Sequence, residues 1–327
     1  MNRTSPDHGQ HVAVVLVDYR NPSDTVACVE SLLGLSYPDV AVIVVDNASP
    51  ERDDLALRER FGDRIAVIRS RENGGFAAGA NQGIRAALEL GVGAIWLLNN
   101  DTLVPADVLG RLVDALDGSP DFGLLSPVIT GSETTGWSDE VWFAGGRVDL
   151  RRGTASHSTD LPALSTGRVL DTGFVSGCAM LIRREVFEAI GLLEESYFLF
   201  WEDVEFCVRA RAAGWKCGVV PDARVAHRVH GTIGGRNYEA LAIRNSRDVS
   251  GRHGSARDVA GIALRSWLGI TQAVAGVALG ADRDGARRRL RGHALGLGRL
   301  TRAVARRTAR RPAPFPEWRP PVSATQE

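Results

Sequence analysis

Residues 94–102, Ala94-Ile95-Trp96-Leu97-Leu98-Asn99-Asn100-Asp101-Thr102, run apolar and then end abruptly in two amides and a carboxylate. A short continuous apolar run of this kind reads as a strand buried on both faces of a parallel sheet. Its polar triplet then stands at the strand's carboxyl end, where open α/β sheets bind ligands. A second acidic cluster, Trp201-Glu202-Asp203, lies far downstream. Together they point to one carboxylate that holds a metal-bound diphosphate and another that deprotonates a hydroxyl.

Upstream of this strand, two β-branched runs at 12–17 and 40–45 flank a helical pattern over 24–35, with Val26, Val29, Leu32 and Leu33 on one face. That order predicts a right-handed βαβ unit with parallel strands. A helix over 53–61 and a short strand over 65–69 lead to Asn73-Gly74-Gly75-Phe76-Ala77-Ala78-Gly79-Ala80-Asn81, which opens a helix carrying Ile84, Ala87 and Leu88. The glycines allow a ligand close to the backbone, with the helix N-terminus aimed at it; the alternative is a packing device. The loop has neither G-x-G-x-x-G spacing nor the Gly-Lys-Ser/Thr of a P-loop.

Downstream, the pattern predicts a helix over 106–116, a strand over 175–182, a helix over 184–190 and an amphipathic helix over 203–213. Short strands at 217–220 and 224–226 follow, the second leading into His227. The Gly/Ser/Thr-rich stretch 130–166, with exposed-looking Trp137, Trp142 and Phe143, reads as a long irregular segment giving acceptor access. The expected fold class is α/β, a mixed, mainly parallel central sheet with flanking helices and a C-terminal helical extension.

With 327 residues, 44% hydrophobic and 24% charged, the composition is that of a globular protein. Lys plus Arg equals Asp plus Glu at 39 each, so no global field recruits nucleic acid. Lys216 is the sole lysine, and eleven arginines between Arg283 and Arg311 face only Asp282 and Asp284. Such a segment suits an anionic membrane surface or a solvated helical appendage. Cys28, Cys178, Cys207 and Cys217 have no CxxC spacing and are expected as reduced core residues. The apolar stretch 266–281 is shorter than the roughly 20 residues a spanning helix needs. No signal-peptide core precedes the first strand, so a cytoplasmic protein is expected.

Three strand ends, at Tyr19 to Asn21, Asp46-Asn47 and Asn99 to Asp101, would converge into a nucleotide pocket. Asp46 would accept a hydrogen bond from a base N–H or a ribose hydroxyl, or else close an Asx-turn with Ser49. Asp101 is the sole carboxylate of its triplet, enough for Mg²⁺ or Mn²⁺ when a diphosphate completes the shell; a helix cap before Pro105 is the alternative. Asp203 opens a helix, whose dipole would favour the ionised form that a base requires, or it serves as a simple N-cap. Trp201 would stack on an acceptor ring or fill core. His227 and His230 would hold metal or phosphate.

These residues carry a resemblance to the bacterial family-2 glycosyltransferases, and among them to the rhamnosyltransferase-like branch. Its carriers are Val44-Val45-Asp46-Asn47-Ala48-Ser49, the loop from Asn73 to Gly83, Asn99-Asn100-Asp101-Thr102 in place of DXD, and Trp201-Glu202-Asp203-Val204-Glu205-Phe206-Cys207-Val208-Arg209, with Tyr238 and Arg244-Asn245 beyond. The resemblance spans residues 11–250. It implies a GT-A fold, a nucleoside-diphosphate sugar donor, a divalent metal (Mg²⁺ or Mn²⁺) and inversion at the anomeric carbon. Carried over, Tyr19, Asp46, Asn73, Gly75, Asn81, Asn99, Asn100 and Asp101 would bind donor, and Trp201, Gly177 and Arg209 acceptor. Asp203 would be the base with Glu202 beside it, and Asp101 with His227 would hold the metal, His230 being the alternative. Two departures stand out: Arg20 where the family has asparagine after the tyrosine, and Asn100 where it has proline or aspartate.

The implied division is a disordered 1–10, a nucleotide-sugar-binding half over 11–105, a catalytic and acceptor-binding half over 106–250, a basic amphipathic helical extension over 251–311 and a flexible, proline-rich 312–327. The implied activity moves a sugar, L-rhamnose from dTDP-L-rhamnose by branch resemblance, to a hydroxyl in cell-surface polysaccharide or glycolipid assembly. The rival readings are another sugar moved to a soluble natural product, and an inactive nucleotide-sugar-binding scaffold. A nucleotidyltransferase would need a second metal-binding carboxylate and a basic phosphate loop, which the sequence lacks.

Overall fold

The computed structural model describes residues 11–132, 136–160, 168–228, 238–278 and 283–309. The expectations for the first ten residues, for His230 and for the proline-rich tail fall outside these residues, as does the Trp137 side chain. Strands β1 (Val12–Asp18), β2 (Val40–Asp46), β3 (Ala66–Arg69) and β4 (Ala94–Asn99) alternate with helices α1 (Pro22–Leu33), α2 (Asp53–Phe61) and α3 (Phe76–Glu89). The pair β5 (Thr102–Leu103) and α4 (Val108–Asp117) follows, then β6 (Phe122–Ser132), β7 (Gly136–Phe143), β8 (Gly146–Asp149), β9 (Thr154–His157), β10 (Leu170–Thr172) and β11 (Ala179–Arg183). The chain continues through α5 (Arg184–Ile190), α6 (Glu202–Ala212), β12 (Lys216–His227), α7 (Tyr238–His253), α8 (Ala256–Ala278) and α9 (Arg283–Ala309).

The sheet runs β10-β12-β6-β11-β4-β1-β2-β3, with β5 on β12 and β7 on β6. Its β4-β1-β2-β3 half is parallel, as crossover helices require. Strand β11 then enters antiparallel to both β4 and β6, so the sheet is mixed. In β4, Ile95, Trp96, Leu97 and Leu98 are at most 1% exposed. Each such side chain contributes about 1.5–3 kcal/mol, which fixes this strand at the sheet's centre.

Two glycines of the 73–83 loop, Gly79 and Gly83, serve packing. A Cβ on Gly83 would stand 2.4 Å from Val15 Cγ1, and one on Gly79 would stand 2.9 Å from Val17 Cγ1. Helix α3 therefore lies flush on β1. Within the 130–166 stretch, the described residues form strands: β6 extends to Ser132, β7 returns along it, and β8 and β9 form a separate antiparallel pair. Phe143, expected exposed, is fully buried. The two short strands expected over 217–226 are one strand, β12, with an irregularity between Val220 and Arg224.

All four cysteines are free and buried. At the C-terminal end, α9 packs on α7, with Gly292 against Ala240, and on α8, with Gly269 against His293. Among the described residues no helix is long and apolar enough to cross a membrane.

Candidate active site

At the β1 and β2 ends the polar groups bind mainly one another. Asp46 accepts from the Ser49 backbone N–H (2.8 Å) and pairs with Arg69. The Asx-turn is thus realised, and a donor contact by this carboxylate would have to displace Arg69. Asn73 Oδ1 accepts from Asn47 Nδ2 (3.0 Å) and Gly75 N (2.9 Å). Gly75 holds φ +87°, and a Cβ there would meet the Phe198 carbonyl oxygen at 2.1 Å. Tyr19 is half-buried; Arg20, at φ +59°, donates its N–H to Ser49 Oγ (2.9 Å), which keeps the left-handed turn that asparagine tolerates more readily.

Three of the expected contacts are instead spent on scaffold. Asn81 Nδ2 donates to Leu193 O and Glu195 Oε1 (2.9 Å each), and its Oδ1 accepts from Leu193 N (3.1 Å). Arg209, expected at the acceptor, pairs with Glu205 and donates to the Ile190 and Leu192 carbonyls. Asn100 Nδ2 donates to Asp18 Oδ1 (3.1 Å) and Thr25 Oγ1 (2.7 Å), which ties the β4 end to the β1 end. In each case folding uses the very donors that a ligand would need.

Asp101 and His227 come together across β5 and β12, with Oδ1 and Nε2 3.1 Å apart. Asp101 is 8% exposed and His227 7%. Burial opposes a charged imidazole, yet the Cys178 sulfur and the Asp101 carboxylate raise the His227 pKa to about 10. Despite the short distance, Asp101 Oδ1 has no aligned hydrogen-bond donor, and His227 Nδ1 has no partner either. With the imidazole deprotonated, as cation binding requires, a buried carboxylate oxygen without a donor facing a ring nitrogen fits two protein ligands of a divalent cation. Asn99 Nδ2 also lies 3.4 Å from His227 Nε2.

Asp203 sits on the first turn of α6. Its Oδ2 accepts from Gly177 N (3.0 Å) and its Oδ1 from Val204 N (2.7 Å). The helix start was expected to favour its ionised form, but burial outweighs these N–H bonds and raises its pKa. Glu202 is 6% exposed with Oε2 unpartnered, and burial together with the Asp203 charge lifts it to about 8. Phe200 and Trp201, just before this pair, both have positive φ, +66° and +72°; for side chains other than glycine this costs about 1–2 kcal/mol per residue.

The segment before β11 joins the two groups. Asn99 N donates to Cys178 O (2.8 Å), while the adjacent Gly177 N donates to Asp203. A cavity of about 420 Å³ opens beside Asp203, lined by His157, Phe174, Phe200, Trp201, Glu202, Tyr238 and Glu239 among others. Trp142 stands between His227 and the His157 edge of this cavity, with ring centroids 5.3 Å from His227 and 4.5 Å from His157. His157, on β9, was missed by sequence reasoning. It stands in Thr-Ala-Ser-His without a motif, and only the β8–β9 pairing brings it here.

A parallel sheet half closed by an antiparallel strand, with an aspartate–histidine pair at one strand end and a carboxylate at a helix start, forms the candidate site at the sheet's carboxyl edge. The model of "Glycosyltransferase like family 2" matches residues 8–251. The chain belongs to that glycosyltransferase family.

Relatives include a low-salt glycan biosynthesis hexosyltransferase of Haloferax volcanii, 29% identical over 205 residues, 61% of each chain. An N-acetylglucosaminyl-diphospho-decaprenol L-rhamnosyltransferase of Mycobacterium tuberculosis is 26% identical over 210 residues, 59% of this chain and 68% of that one. The match thus spans under two thirds of the Haloferax protein's length. Among solved structures, a Pyrobaculum calidifontis mannosyltransferase in complex with GDP-Man and Mn²⁺ aligns with TM-score 0.54 at 15% identity, covering 91% of this chain and 88% of that one. GalNAc-T7 with UDP, GalNAc and Mn²⁺ aligns with TM-score 0.63 at 16% identity, covering 94% and 59%. These likenesses establish the GT-A fold.

Proposed function

We propose that the protein is an inverting glycosyltransferase that moves a sugar from a nucleoside-diphosphate donor to an acceptor hydroxyl, with Asp203 as the base. The observation that carries this reading is the adjacency of Gly177 and Cys178, which hang the Asp203 carboxylate and the Asn99 backbone from neighbouring residues. Asp203 would accept the hydroxyl proton as that oxygen attacks the anomeric carbon. Its raised pKa makes it a stronger base than an exposed aspartate. Asp101 and His227 would hold Mn²⁺ or Mg²⁺, which supplies charge stabilisation to the departing diphosphate. Asn73, Gly75 and Asn99 remain the proposed donor contacts, and Trp201 and Gly177 the acceptor side.

L-rhamnose from a dTDP donor is the specific sugar proposed, supported by relatives named rhamnosyltransferases at 22% and 26% identity. The test is a thermal-shift panel of dTDP-rhamnose, UDP-sugars and GDP-mannose with Mn²⁺ or EDTA. One donor should stabilise the protein by several degrees, only with metal, and the effect should vanish in Asp101→Ala. Tight, metal-independent binding without turnover would overturn the reading.

We further propose a cytoplasmic protein that works at an anionic membrane face on a lipid-linked acceptor. Helix α8 exposes Leu264 (63%), Trp267 (67%), Leu268 (50%) and Val274 (51%) on one side while burying Ile262, Ser266 and Ala273 on the other. Helix α9 exposes Arg287, Arg291, Arg302 and Arg306 along its own outer face. Exposed apolar and cationic faces of this kind suit interfacial binding. Flotation with phosphatidylglycerol vesicles should recover the wild type, and Trp267→Ala/Leu268→Ala should lose it. Equal recovery of the two proteins would reject the surface.

A further inference from the structure

Two successive left-handed residues, Phe200 and Trp201, lead directly into Glu202 and Asp203. Neither is glycine, so something must hold them there. The restraint comes from α7. Asn245, with no solvent exposure, donates Nδ2 to the carbonyls of both Leu199 (3.0 Å) and Phe200 (2.8 Å). Its own Oδ1 accepts from Arg244 Nε (2.9 Å), which fixes the amide's orientation. The same face of α7 holds the rest of the segment: Tyr197 OH donates to Asp248 Oδ2 (2.7 Å), and the Tyr238 ring meets Phe200 edge-on at 5.9 Å. On the far side of the segment, Phe76 N donates to Phe198 O (2.9 Å), and only a glycine at position 75 leaves room for that carbonyl.

We infer that Asn245 is a positioning residue for sugar transfer: its amide locks the Leu199–Trp201 turn in the left-handed form that aims Asp203 at the acceptor. The inference rests on the assignment of Asp203 as the base. Asn245 touches neither donor nor acceptor in this arrangement. It acts through the backbone, by setting the direction in which α6 starts. Without it the turn relaxes toward right-handed or extended backbone, and the bond from Gly177 N to Asp203 is lost with it.

The test is Asn245→Ala in the full chain, read in three ways. Transfer kcat should fall roughly 10- to 100-fold while donor KM stays within about twofold, as misplacement of a reacting group rather than lost binding requires. Phe200→Gly added to that variant should recover part of the lost kcat, because glycine adopts the left-handed form unaided. Amide exchange in the 199–204 segment should rise while the β1 and β4 strands stay protected. Unchanged kcat in a folded Asn245→Ala protein, or unchanged exchange at 199–204, overturns the inference. If the alanine variant does not fold, Asn245→Asp, which fills the same volume without the two N–H donors, is measured in its place. The exchange readout needs no substrate, so a wild-type chain inactive on every donor would sink the proposed transfer and leave this test standing.

Discussion

Among the described residues, the carboxylates at the β1 and β2 ends and those at the β4 end and the α6 start have different surroundings. At the ends of β1 and β2, Asp18, Asp46 and Asp53 lie with oxygens within 4.8 Å of one another. Asp18 accepts from Thr25 Oγ1 (2.5 Å) and Asn100 Nδ2, and Asp46 pairs with Arg69. At the β4 end and the α6 start, Asp101, Glu202 and Asp203 have no arginine or lysine ion-pair partner among the described residues; His227 faces Asp101, and His157 and backbone N–H groups act on Asp203. Asp101 Oδ1 and Glu202 Oε2 are left without hydrogen bonds. Acid density by itself therefore does not mark the reactive place. In the denser cluster Asp53 Oδ2 also lacks a hydrogen bond, but Asp18 and Asp46 are each compensated, so the two places differ in degree of compensation.

The sharpest way to break this contrast is Asp203→Asn. Transfer should drop about 10²- to 10⁴-fold while metal-dependent stabilisation by the donor persists; full activity in the folded variant would remove Asp203 as the base. A smaller effect is expected from the compensated cluster. Arg69→Met leaves the fully buried Asp46 without its cation, and chemical denaturation should register a loss of roughly 3 kcal/mol with little change in kcat for the protein that remains folded. If activity is lost at unchanged stability, the pair belongs to the donor site and the contrast fails.

The smallest effect expected concerns pH. Burial raises the Asp18 pKa to about 7; the Thr25 hydroxyl opposes this, and neighbouring Asp53 and Asp46 add to it. A carboxyl whose folded-state pKa lies above its unfolded value favours the fold below pH ~4 and loses that contribution as pH rises through about 7. Glu202, at about 8, acts in the same direction. Tm should therefore fall between pH 4 and 8, and Asp18→Asn should flatten that fall by roughly 2–4 °C. An unchanged slope would mean that Asp18 is ionised throughout the range.

The parallel half was legible because its signal is local. The runs at β1, β2 and β4 are continuous and apolar, and the helices between them keep a clear period. Burial on both faces leaves no other reading of such runs. The acceptor half hid for the opposite reason. Strand β9 is Thr-Ala-Ser-His, polar and mostly exposed, and its strand character comes from pairing with β8 rather than from its own composition. His157 had no local mark for that reason. Asn81, Arg209 and Asn100 bond within the fold: a motif records which residue is required, not whether a ligand or the fold requires it. Asp101, His227, Gly177 and Asp203 were all named from sequence, but their assembly depends on β11 entering between β4 and β6, a long-range event without sequence periodicity.

The segment leading into that inserted strand also acts as a ruler. Because Gly177 and Cys178 are consecutive, the offset between the anchor of the metal-side triplet and the anchor of the base is one peptide unit, a Cα spacing of about 3.8 Å. Covalent geometry is far stiffer than any side-chain contact. On the proposed reading, the wall around His157 is open to remodelling for a new acceptor, whereas Tyr238 belongs to the α7 face that holds Phe200. On the proposed assignment of base and metal side, acceptor choice and chemical alignment are separately adjustable, and the His157 wall is the place to begin redesign.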